Sequence, residues 1–297
     1  MSDFIILTDS TSDLNAQLRE KYAIDYFKMQ FSSSERTYDA SLDWEDISPS
    51  DFYNAMRNGT SFTTVQVSLQ SYTNKFRQYL SQGMDILYIG CSSALSGSVT
   101  SSYIIRDQLK TEFPNNRIYC FDSLISGMGQ GMMAIRAAQM KAEGKTVEEV
   151  YNWLCENVMK HNQMGSTECL EYLKKSGRIK ASSAFFGDLF AVKPLIISDT
   201  NGQNLAIRKV KGRKNALSAM VNHIAQYIEA PESQTIYIGH ADSEADAMLV
   251  RDLVLERFPG TKVETNIIGP IVGASVGPGT IIAYYYGKEK STQMKDV

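Results

Sequence analysis

Two loops rich in hydroxyl groups are the strongest chemical signal in the chain: Thr63-Thr64-Val65-Gln66-Val67-Ser68 and Ser92-Ser93-Ala94-Leu95-Ser96-Gly97-Ser98. A third, Asp9-Ser10-Thr11-Ser12, follows the first apolar run. Each precedes a helical pattern, so its hydroxyls stand beside unpaired backbone N–H groups at a positive helix end. That is chemistry for holding an anion. Taken singly, each loop is equally well an ordinary helix cap, since Ser and Thr are the common N-cap residues. Three on one sheet edge would converge on a single crevice, where open α/β sheets bind ligands.

Other chemistry is scarce. Only three His (161, 223 and 240) and four Cys (91, 120, 155 and 169) are present, with no CxxC pair to form a zinc ribbon. A nucleophilic serine needs a positioned base, and the GxSxG elbow is missing. The alternative enzymatic reading is a hydrolase or transferase of a small acyl or phosphoryl substrate. It would make Ser96 or Asp9 reactive, with His240 assisting from the end of a strand. Gly127-Met-Gly-Gln-Gly131 has GxGxG spacing rather than the dinucleotide GxGxxG, and no P-loop occurs. The 30 basic and 33 acidic residues give a net charge of -3, without the basic excess of a nucleic-acid binder. The chain is His-poor but carries 31 Ser and 17 Thr among its 297 residues, a composition better suited to binding than to acid–base or metal catalysis.

The elements that position these loops read as α/β. Apolar runs at Phe4–Leu7, Asp85–Gly90 and Arg117–Phe121 each lead into a helical pattern, predicting a parallel sheet covered on both faces. The second half predicts helices over 147–160 and 169–175. It continues with strands 194–197 and 205–210 around Asn201-Gly202, then helix 215–228, strand 235–239, helix 244–258 and two final strands, a mixed-sheet α/β unit. The expected boundary lies near residue 160, giving an N-terminal domain over 1–160 and a C-terminal one over 161–290. Thr265–Tyr286 is uncharged and long enough to span a membrane. Its repeated Gly and Pro favour two buried strands around a glycine-rich loop. The N-terminus lacks the basic start of a signal peptide, and widely spaced Cys fit a reducing interior. The expectation is a soluble cytoplasmic protein. The Met128, Met132, Met133 patch and Ala184-Phe-Phe-Gly-Asp-Leu-Phe190 read as core or as an apolar channel.

In order along the chain stand Asp9-Ser-Thr-Ser-Asp-Leu14, Thr64-x-Gln66-x-Ser68, Ser92-Ser-x-Leu-Ser-Gly97, Leu170-x-Tyr-Leu-x-x-x-Gly-Arg-Ile179, Lys193-Pro194 and Gly277-Pro-Gly-Thr280. This pattern resembles the bacterial DegV family across residues 3 to about 287. The resemblance implies two α/β domains with a long-chain fatty acid, such as palmitate or oleate, buried between them and no cofactor. It implies a carrier rather than an enzyme, presenting its cargo to a fatty acid kinase that makes the acyl phosphate for phospholipid synthesis. Thr64 and Ser96 would hold the carboxylate, Gly97 would offer a backbone N–H, and Arg178 a nearby cation. Thr63 is adjacent, so which threonine points inward stays open. Met128, Met132, Phe185, Phe186 and Phe190 would line the tail. The chain departs from the family at Thr64-Val-Gln-Val-Ser68, which lacks a proline and one hydroxyl. Ser275 stands for the family's His, and Lys211 for an arginine, both placed in a supporting polar shell. The expected partners are the fatty acid, the kinase and, transiently, a membrane surface, with the chain a monomer. A regulatory module that reads lipid as a signal is a third reading.

Overall fold

The computed structural model describes residues 3–180 and 192–294. The first half runs β1 (Phe4–Asp9), α1 (Ala16–Tyr22), β2 (Ile24–Phe27), β3 (Met29–Ser32), β4 (Thr37–Ala40), α2 (Pro49–Arg57), β5 (Thr63–Val65), α3 (Leu69–Leu80), β6 (Asp85–Gly90), α4 (Ser98–Glu112), β7 (Ile118–Asp122), α5 (Met128–Ala142) and α6 (Val147–Asn157). The apolar runs become a parallel sheet of order β2-β1-β6-β7, covered by the helix pairs α3–α4 and α5–α6. Its central strand β6 is buried at every residue, as a parallel strand enclosed on both faces must be. After β2 the chain passes through Lys28 into a separate antiparallel sheet, β4-β3-β5, that carries the Thr63–Val65 segment.

Local chemistry sets the helix starts. Ser68 Oγ accepts the Ser71 N–H at 3.1 Å to cap α3. Thr146 and Glu149 form a reciprocal capping box on α6, satisfying two otherwise orphaned donors. α6 then stops at Asn157, and residues 158–160 form a 3-10 turn rather than the last turn of a longer α-helix.

The second half comprises β8 (His161–Ser166), α7 (Glu171–Ser176), β9 (Val192–Ser198), β10 (Asn204–Lys211), α8 (Arg213–Tyr227), β11 (Thr235–His240), α9 (Glu244–Arg257), β12 (Lys262–Ile267), α10 (Pro270–Val276), β13 (Ile281–Tyr286) and α11 (Lys290–Gln293). Among the described residues its six strands form one mixed sheet of order β10-β9-β8-β13-β11-β12, in which only β11 and β12 run parallel. The β9–β10 hairpin turns through Asp199–Gln203. Asp199 Oδ1 accepts the N–H groups of Asn201 and Gln203, both at 2.9 Å.

The uncharged stretch before β13 corrects the sequence expectation. Between its two strands lies a short buried helix, α10, not a loop. Pro270 starts it at the first helical position, where a missing N–H costs nothing, and Gly277 ends it at φ 80°. One hydrophobic cluster joins Met128 of α5, Ile196 of β9, Ile271 and Val272 of α10 and Tyr284 of β13, so the sheets share a core. A second cluster lies between the six-stranded sheet and α8 and α9. No helix among the described residues is long and apolar enough to cross a membrane.

Candidate functional site

β5 pairs antiparallel with β3, placing Thr64 opposite Phe31 and Thr63 opposite Ser32. Alternation along a strand turns neighbours to opposite faces. Thr63 is exposed, with its Oγ1 3.2 Å from Ser32 Oγ. Thr64 turns inward and lines a cavity of about 340 Å³. Ser96 and Gly97 line the same cavity from the turn before α4. Arg178 reaches it from just beyond α7, and Ser275 from α10. Five of the residues singled out in the sequence therefore share one space. The volume is at the low end of the range for small-molecule sites.

The cavity wall combines polar and apolar groups. Ser96 Oγ donates to Ser98 Oγ at 3.1 Å and accepts the Ser98 N–H at 3.3 Å. Ser98 Oγ in turn accepts the Val67 N–H at 3.2 Å, tying the Ser96 turn to the segment that carries Thr64. Gly97 is the residue before the first turn of α4 and has no side-chain cap; a Cβ there would collide with Gln66 Oε1. Arg178 Nε donates to Leu95 O at 3.2 Å, and Nη1 donates to Ser176 O. These bonds hold the guanidinium beside the serine turn with no ion pair among the described residues. Met29, Leu95, Ile271, Val272 and Val276 supply the apolar wall. The sequence signal for α10's share was the uncharged run before β13, which carries Ile271 and Val272. Nothing in the pattern pointed to Met29.

Thr64, Arg178 and Ser275 also line a second space of about 390 Å³, together with Thr63, Lys175 and Tyr172. These three residues thus stand where the two spaces adjoin. A slit of about 20 Å³ shares Ser126, Asn204, Val272 and Val276 with the cavity, and continues against Ile196 of β9 and Ile282 of β13 with Gln163, Ser166 and Thr280 beside them.

The remaining residues singled out in the sequence lie elsewhere. Lys211 is exposed at the far end of β10, seven residues from the cavity-lining Asn204 and so about 23 Å along the strand. Met128 is packed in the core at 1 % exposure. Met132 faces a separate cleft of about 700 Å³ with Tyr22, Trp153 and Tyr237. The reason is helical geometry: α5 turns these methionines toward the core and toward that cleft, not toward the cavity. Phe185, Phe186 and Phe190 lie outside the described residues.

The groups for the alternative chemistry are not brought together. His240 does not line the cavity, and its Nδ1 accepts the Ser243 N–H at 3.4 Å. Burial holds its imidazolium below the ordinary range, against the pull of Glu244 and Asp242. Asp9 is fully buried in a structural network. It accepts from Tyr88 OH at 2.6 Å, from the Thr11 N–H at 2.9 Å and from Thr11 Oγ1. Cys91 does line the cavity, but burial and then Asp9 push its thiol far above the ordinary range, so it carries no thiolate.

The comparisons with known proteins bear directly on this arrangement. The sequence model of the DegV family, whose description calls its members uncharacterised, matches residues 3–288. The chain belongs to the DegV family. A DegV domain-containing protein of Clostridium perfringens is 33% identical over 290 residues, covering 98% of this chain and 99% of that one. Among solved structures, a DegV family protein of Thermus thermophilus, described by its fatty acid binding, aligns with a TM-score of 0.86 at 28% identity. That alignment covers 96% of this chain and 99% of the other. A DegV lipid-binding protein of Thermotoga maritima aligns with a TM-score of 0.83 at 25% identity, covering 97% and 100%. This DegV chain therefore shares the α/β fold of relatives described as lipid or fatty-acid binders.

Proposed function

We propose that this DegV protein binds a long-chain fatty acid, with its carboxylate at Thr64 and Ser96 and its tail directed toward the six-stranded sheet. The observation that carries the reading is the cavity itself: the hydroxyls of Thr64, Ser96 and Ser275 and the aliphatic side chains of Leu95, Ile271 and Val272 line one space, which adjoins a slit reaching Ile196 and Ile282. The relatives described as fatty-acid binders support it. A carboxylate placed there gains about 1.5–3 kcal/mol from each charged hydrogen bond, and the tail about 0.8 kcal/mol per buried methylene. Residues 1–160 then form the unit carrying the head-group loops, and 161–290 the unit housing the tail, which presses the slit open as it enters.

The chain is a carrier, not an enzyme. Its carboxylate end lies where Thr64, Arg178 and Ser275 meet the adjoining space, within reach of a phosphoryl donor bound by a partner. That partner is a fatty acid kinase, the product an acyl phosphate destined for phospholipid synthesis, and the compartment the cytoplasm. The test incubates the loaded protein with a fatty acid kinase and ATP and traps acyl phosphate with hydroxylamine. Hydroxamate that forms only with this protein present supports the reading. Turnover of simple esters or phosphoesters by the protein alone, without hydroxamate, defeats it.

A further inference from the structure

The loop after β1 and the helix α10 supply facing walls of the cavity, Thr11 from one and Ile271, Val272, Ser275 and Val276 from the other. One side chain ties them together. Asp13 ends the 3-10 turn Ser10–Ser12 in left-handed backbone at φ 54° and is 5% exposed. Its Oδ1 accepts the Gly269 N–H, at the start of α10, at 2.9 Å. Its carbonyl accepts from Asn266 Nδ2 at 3.2 Å.

This seam is short of hydrogen-bond partners. Ser12 Oγ, Asn266 Oδ1 and Tyr284 OH are buried and unpaired. Tyr284 OH and Asp13 Oδ2 both face the spot where a Cβ of Gly127 would stand, the carboxyl oxygen 3.3 Å from it. The titratable groups facing Asp13 are Asp9 at the end of β1, Cys91 beyond β6, Tyr53 of α2 and Tyr284 of β13. None of these is a cation. A carboxylate in such a seam has lost its hydration, a cost that parting the two walls would relieve. A neutral carboxyl bears far less of that cost.

We propose that Asp13 is the positioning residue of the acyl cavity: neutral, it clasps α10 against the Ser10–Asp13 loop at the bore that grips an acyl chain, and ionised, it loosens that grip. The inference rests on the fatty-acid reading above. Burial pushes the Asp13 carboxyl up to about 8; the Gly269 N–H opposes this and the nearby Asp9 adds to it. Asp13 also ties itself to function through position, because both elements it joins are cavity walls.

The test measures affinity for a fluorescent fatty-acid analogue at about pH 7 and about pH 9, in the wild-type chain and in Asp13→Asn. If only the neutral form grips the chain, one proton is linked to binding, and wild-type affinity falls about tenfold over that interval. Asp13→Asn, which mimics the neutral carboxyl, stays within about twofold. Lys290, whose amine burial lowers to about 7, and the ligand's own carboxyl are common to both proteins and cancel in the comparison. Tyr284→Phe removes the facing hydroxyl and keeps Asp13, so its pH dependence persists with a higher midpoint. Equal pH dependence in wild type and Asp13→Asn, or none in wild type and Tyr284→Phe, overturns the inference. Absence of analogue binding by every variant at both pH values overturns the fatty-acid reading itself.

Discussion

Replacing Thr64 by Val keeps the β-branched shape of the cavity wall and removes one hydroxyl. Thr64 Oγ1 makes no hydrogen bond among the described residues, so the fold loses nothing with it, and stability stays within about 0.5 kcal/mol. One hydrogen bond to an ionised carboxylate is worth about 1.5–3 kcal/mol, so fatty-acid affinity falls roughly 10- to 150-fold. Ser96→Ala differs, because Ser96 is bonded to Ser98 and Ser98 holds the Val67 N–H. It loses similar affinity and also about 1 kcal/mol of stability. The double variant loses less affinity than the two singles combined, because a carboxylate that has lost one donor rehydrates and depends less on the other. Displacement titrations beside urea unfolding curves separate the two effects. Both single variants binding within about threefold of wild type, against the range above, would refute the placement of the carboxylate.

Three further outcomes follow from particular contacts. Lys290 is completely buried, donates to Leu124 O at 2.7 Å, and burial lowers its amine to about 7. The unfolded chain holds that proton up to about pH 10.4 and the native chain releases it near 7, so this group makes stability rise with pH between those limits. The rise amounts to an order of 4 kcal/mol. Lys290→Met removes that slope in urea midpoints, and an unchanged slope would contradict it. Gly97→Ala leaves an ordinary backbone conformation, φ -73°, but displaces Gln66 from its place on the cavity wall. Affinity measured by displacement therefore falls more than unfolding free energy does. Val272→Phe plugs the junction of cavity and slit at about 1–3 kcal/mol of overpacking. It abolishes binding of a long-chain acid while a short acid still competes with the probe; equal losses for both would place the tail elsewhere.

Much of the fold was legible because its signals are local. Apolar runs ending in Ser, Thr and Asp announced the strand–loop–helix units, and of the hydroxyls in those loops Thr11, Ser96 and Ser126 line the cavity. Strand β8 was not legible. Its residues His161-Asn-Gln-Met-Gly-Ser166 show no apolar alternation, yet every one is buried; His161, Asn162 and Gln163 bond internally, Gln163 to Asn204 at 2.7 Å, while Ser166 Oγ is buried without a partner. The choice between Thr63 and Thr64 depended on register with β3, a contact between strands that no local pattern encodes. Met128 and Met132 read as apolar, but the surface an apolar helix face meets is decided by packing with other elements. Lys211 lay close to the motifs in sequence, yet an extended strand carried it away from them. Asp13 stood inside the first motif with no reading of its own; its hydrogen bond from Gly269 joins residues 256 apart and needed the fold in place.

The most direct test of the account is mass spectrometry of lipids extracted from the native purified protein. A long-chain fatty acid recovered at one molecule per chain, and lost in the Thr64→Val, Ser96→Ala double variant, is the predicted result. A protein recovered without lipid that also fails to take up palmitate or oleate would contradict it.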